Sequence, residues 1–146
     1  MITRANGIVI TACSAALTAS ADVAAAFAGR EKRILEIVPE KGVGRLPQYP
    51  YVTFAGVEKR GLPPSCNEPR AIVTPFVHVW DSDKTITRVS DITEACEAAL
   101  LALVLAPETG LRIVDRNHVL TRCAYDQDAA LLLGLCQISY TVTAVA

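Results

Sequence analysis

The sequence predicts an α+β domain, an antiparallel sheet of four to five strands packed on one face by two main helices. Three observations carry this expectation. Residues 133–145 alternate, with Cys136, Ile138, Tyr140, Val142 and Ala144 on one face and Gln137, Ser139, Thr141 and Thr143 on the other. That is the pattern of a strand with one buried and one wet face. Ile92, Ala95, Cys96, Ala99, Leu100, Leu103 and Val104 recur at helical spacing. Residues 72–80 are apolar on both faces, Phe76, His78 and Trp80 against Val73, Val77 and Val79, as in a central strand.

From the N-terminus, residues 8–17 place apolar side chains at mixed three- and four-residue steps in an Ala-rich background, which predicts a helix. Ser20 followed by Asp22 reads as a fresh N-cap with an acid in the first turn, opening a short helix that runs to Phe27 and stops at Gly29. Residues 34–38 form a short strand before Pro39, and residues 39–50, broken by Gly42, Gly44 and Pro47, an irregular loop. Residues 51–57 are β-branched and aromatic and form a strand that Pro50 introduces. Residues 58–70 carry Gly61, Pro63, Pro64 and Pro69 among five charges and read as an exposed loop. Pro75 is the one feature of the next strand that argues for an edge.

Residues 81–84 are turn chemistry. The second main helix is expected from Ser90 or Asp91, where Asp91 and Glu94 resemble a capping box, to just before Pro107. Leu101 and Leu105 fall off its apolar stripe, on a face that a lone domain leaves in water, which points to a second contact such as a neighbouring subunit. Residues 119–125 form a strand, Asp126, Gln127 and Asp128 a turn, and residues 133–145 the long returning strand.

Composition bounds the function. The 146 residues fit a single domain, 1–146, and a chain of this size buries a proper core without staples. At 51% hydrophobic residues it is not a disordered chain. Its net charge of −1 argues against coating nucleic acid. The charge-free stretch between Arg4 and Asp22 is too polar for a membrane span. Ile10-Thr11-Ala12-Cys13 looks like a lipoprotein cleavage box, but Asn6 and Gly7 break the apolar run before it. Cys13, Cys66, Cys96, Cys123 and Cys136 are odd in number and scattered, which suits buried thiols in a reducing compartment, most simply the cytoplasm.

No motif carries catalysis. Gly42-x-Gly44 lacks the third glycine and the following helix of a phosphate loop, and neither a G-x-S-x-G elbow nor an H-E-x-x-H helix occurs. His78, between Phe76 and Trp80, reads as packing, and His118 as a solvated loop residue. Cys66, with Arg70 nearby, is the one candidate nucleophile in a polar loop, without an evident base. Asp81 with Asp83, and Asp126 with Asp128, offer weak cation sites that read better as turn formers. The runs 30–33 and 59–60 read as solvated surface. The expectation is a non-enzymatic chain with no catalytic residue, metal or cofactor.

An N-terminal helix, Pro50-Tyr51-Val52, Phe76-Val77-His78-Val79-Trp80-Asp81, the amphipathic helix to Leu105, and Tyr125-Asp126-Gln127-Asp128 leading into the last strand follow one another in order. This succession, over most of the chain, resembles the tail-completion, or tail-terminator (neck), proteins of long-tailed bacteriophages and gene transfer agents. The sequence departs from that family at Ala129, where members often have glycine, and in the longer, proline-rich segment 58–70.

The resemblance implies a structural virion protein at the head–tail junction, assembled in the bacterial host cytoplasm as a homo-hexameric ring. Its partners would be itself, the tail tube protein and a head–tail connector or stopper protein. It implies no membrane and no sequence-specific nucleic acid, DNA only passing through the lumen. Candidate subunit or tube contacts are Glu58, Lys59, Arg60, Pro63, Pro64, Leu101 and Leu105. Another head–tail connector or adaptor, a small cytosolic enzyme or ligand-binding domain using Cys66 or an Asp pair, and a lipoprotein anchored through Cys13 are the alternatives.

Overall fold

The computed structural model describes residues 2–35, 49–65 (backbone alone at 64 and 65) and 68–145. The chain runs α1 (Ala5–Ala19), α2 (Ala21–Ala26), β1 (Ile34–Leu35), β2 (Tyr51–Ser65), β3 (Glu68–Asp81), α3 (Thr87–Leu101), a 3-10 turn (Pro107–Thr109), β4 (Leu111–Asp126) and β5 (Leu131–Ala144). The five strands make one sheet in the order β1-β2-β3-β5-β4. It is antiparallel throughout except for the parallel pairing of β1 with β2. The expected α+β fold is present, and β3 is the central strand despite Pro75.

The helices cover one face of this sheet. In α1, Ala5, Val9, Cys13 and Leu17 recur every fourth residue and are buried. They meet Val52, Phe54, Val73, Val77 and Val79 from β2 and β3 in one apolar core. Ser20 caps α2 as its sequence predicts, its hydroxyl accepting from the Val23 amide at 3.2 Å. Lys32 reaches back to the carbonyls of Thr18 and Ser20, satisfying the end of α1. Val89, Ile92, Thr93, Cys96 and Leu100 of α3 are buried on the β5 side of the same core.

Several element boundaries differ from the sequence reading, each for an identifiable reason. Of the expected loop 58–70, residues 58–65 and 68–70 are the outer parts of β2 and β3, paired from Glu58↔Thr74 to Leu62↔Arg70. β1 pairs only with Val52 and Thr53, so Pro63 and Pro64 interrupt no described ladder on that edge. Pro69 lies beyond the last β3–β5 pair, Arg70↔Thr143. Across Pro75 the β3–β5 pairs skip from Val73↔Tyr140 to Phe76↔Gln137, and the Thr74 and Ser139 hydroxyls bond at 2.7 Å in the gap. Residues 36–48, which include most of the expected loop, and Cys66 lie outside the described residues.

Helix α3 starts earlier than the capping signal suggested. Its N-cap, Ile86, makes no side-chain bond. The first turn is held instead by Arg88, which grips the buried Asp81 at the end of β3 through Nε (2.7 Å) and a terminal nitrogen (2.5 Å). The helix also ends earlier, at Leu101, and the chain beyond is extended with a two-residue period. Leu103 and Leu105 therefore point inward, while Val104, expected inside, is 78% exposed. Strand β4 begins at Leu111 rather than 119, because extra residues at Val114 and Val119 shift its register twice and erase the alternation.

One contact sets how close α3 comes to the sheet. A Cβ on Gly134 of β5 would lie 2.0 Å from Thr93 Oγ1, 3.2 Å from Thr93 Cβ and 3.3 Å from Val79 Cβ. Thr93 is held there, its hydroxyl donating to the Val89 carbonyl at 2.6 Å. Gly134→Ala is expected to cost about 1–3 kcal/mol in urea unfolding. Thr93→Ala in the same chain should return part of that loss. At the β4–β5 turn Ala130 has φ of 54°, where a Cβ is strained. Ala130→Gly should therefore raise stability by roughly 0.5–1 kcal/mol in the same assay.

Candidate interaction surfaces

The face of the sheet away from the helices carries an alternating row from each strand. From β3 it takes Ile72, Thr74, Phe76, His78 and Trp80, all half-buried, and from β5 Leu133, Leu135, Gln137, Ser139 and Thr141. Glu58 and Arg60 of β2 stand opposite Thr74 and Ile72, and Leu120 and Arg122 of β4 opposite Gln137 and Leu135. Among the described residues no helix packs on this face. One end holds a polar cleft of about 520 Å³ between Glu58, Arg60, Asp115, Asn117 and Ser139. The other end is apolar, formed by Leu133, Leu135 and Ala124 beside Arg122.

The opposite side of the domain offers a groove between α1 and α3 of about 790 Å³. Gly7, Thr11, Ala12 and Ala15 line one wall, and Ala99, Ala102 and Val104 the other. Small residues keep the two helices from filling it. Leu101, 37% exposed, lies on the same helical layer.

The candidate contact residues do not form one site. Glu58 and Arg60 are exposed on the bare sheet face and Pro63 is exposed further along β2. Pro64 lies on the same strand. Lys59 points to the helix side, its Nζ donating to the Ile2 carbonyl at 3.1 Å, so it ties down the N-terminus. Leu101 is exposed as expected. Leu105 is 6% exposed and belongs to the core, a correction that follows from the early end of α3. The groove itself went unread in the sequence, although the run of Gly and Ala through α1 and α3 was its signal.

The groups weighed for chemistry have structural partners. His78 meets Trp80 edge-on at 6.2 Å, and burial lowers its pKa. His118 is on a strand rather than in a loop, with Nε2 at 2.7 Å from Thr121 Oγ1 and 3.1 Å from Glu97 Oε1. Asp81 belongs to Arg88, and Asp126 accepts from the Asp128 and Ala129 amides at 3.0 and 3.1 Å as a turn former. Among the described residues no three His, Cys, Asp or Glu side chains gather as a metal site, and no helix is long and apolar enough to cross a membrane.

Cys13, Cys96 and Cys136 are buried together beneath the helices. Burial pushes the thiols of Cys13 and Cys96 up to about 12, and that of Cys136 to about 11. The Cys13 thiol donates to the Tyr140 hydroxyl at 4.0 Å, which in turn donates to the Leu100 carbonyl at 2.7 Å. Thiols so placed are packing groups and poor nucleophiles.

The arrangement is thus a two-layer α+β domain, and among the described residues nothing covers either of its two outer surfaces. A chain from the structure described as "Virion of native gene transfer agent (GTA) particle" has the same fold, with a TM-score of 0.69. The match covers 97% of this chain and 99% of that one at 16% sequence identity. No protein-family model and no curated protein matches the chain.

The thiol environment gives a pH dependence. Unfolded thiols ionise near 9 and the three native ones only near 11–12, so the folded state holds the extra protons. Their contribution is complete below pH 9 and is lost as pH rises through 9 toward 12, by up to about 1.4 kcal/mol per pH unit for each thiol. Urea titrations at pH 8 and 10 should show this fall, and Cys96→Ala should flatten it.

Proposed function

We propose that this chain is a structural virion protein of a long-tailed bacteriophage or gene transfer agent. In this reading it forms a ring, six subunits in number, at the head-proximal end of the tail tube. The ring ends tube polymerisation and joins the tail to the head connector. The observation that carries the reading is the likeness in fold to a gene transfer agent virion chain, which spans both chains almost end to end. The order of sequence features shared with tail terminators adds the particular position in the particle. The buried, protonated thiols and partnered histidines fit a structural role better than a catalytic one.

A subunit of this kind meets protein on several sides, and the domain leaves surface for that. The bare sheet face and the α1–α3 groove lie on opposite sides. Two different contact surfaces on one subunit generate closed rings when the rotation between copies closes. Partners in this reading are further copies, the tail tube protein and a connector or stopper protein, with DNA passing through the lumen. Another head–tail connector or adaptor shares the same fold evidence and differs in what it binds.

Light scattering on the purified chain, followed by incubation with isolated tails and with isolated heads, tests the reading. A species near six times 15.6 kDa that caps tails at one end is the expected result. Binding to heads alone would move the chain to the connector reading. A monomer that binds neither would end the proposal.

A further inference from the structure

We draw no further inference here: the strongest candidate, the apolar groove between α1 and α3, is walled by small side chains and nothing in the structure shows what covers it.

Discussion

The close approach of α3 to β5 at Gly134 is the constraint from which most of the molecule follows. Any side chain there would enter the space of Thr93 and stand against Val79, so the helix could not settle at its present depth. With α3 seated, its ends are fixed by polar contacts that the sheet supplies. Arg88 binds Asp81 at the start, while the Tyr140 hydroxyl and the Arg116 guanidinium take the Leu100 and Leu103 carbonyls at the finish. Glu97 reaches His118 on the edge strand between them. The Leu100 carbonyl, in the last turn of α3, also accepts from the Leu103 amide at 3.2 Å, and the Leu103 carbonyl lies just past the helix; burying either without a partner would be costly. Tyr140, itself fully buried, thus does two things: it fills the core and closes the helix end.

One-sided coverage has a consequence for the surface. All three helices lie on the face that holds Val73, Val77, Val79, Cys136 and Ile138, so the other row of each strand is left half-open. A monomer with no further contacts would be expected to make that second row polar throughout. Here it is polar toward Ser139 and Thr141 and apolar toward Leu133 and Leu135. Together with Leu101 and Val104 on the helical layer, this leaves apolar surface on both outer sides of a small domain, the situation in which burial by other protein chains is favourable.

Legibility in the sequence tracked the strength of the periodic signal. Strand β5 was readable over most of its length because its period of two is unbroken there; at its end Thr143, expected on the wet face, is buried with its hydroxyl bonding the Pro69 carbonyl, and Ala144, expected on the buried face, is exposed. The α2 cap was readable because Ser20 acts locally. The long β2–β3 hairpin was not, since whether prolines break a strand depends on which edge is paired, a fact of topology rather than of composition. Leu105 and Val104 exchanged places because helical arithmetic was carried past the last helical residue. The groove was missed for a related reason. A sequence shows which residues are small, whereas a cleft also needs to know which two helices lie side by side, α1 and α3 being more than sixty residues apart in the chain.

The edges of the sheet bear on how copies could join. Among the described residues, strand β4 is a sixteen-residue edge with no strand on its outer side, the kind of strand that invites pairing with another chain. Yet extra residues at Val114 and Val119 shift its ladder twice, and Arg112, Asp115 and Arg122 stand along it. A ladder interrupted at such intervals offers a partner strand only short registers before its hydrogen bonds fall out of phase. Extending the sheet from subunit to subunit is therefore the poorer route to assembly. Stacking by faces needs no continuous register and uses the apolar and charged surface that the two-layer design leaves uncovered. On that argument the same asymmetry that folds the monomer, helices on one side only, also leaves two unlike outer surfaces by which copies could add.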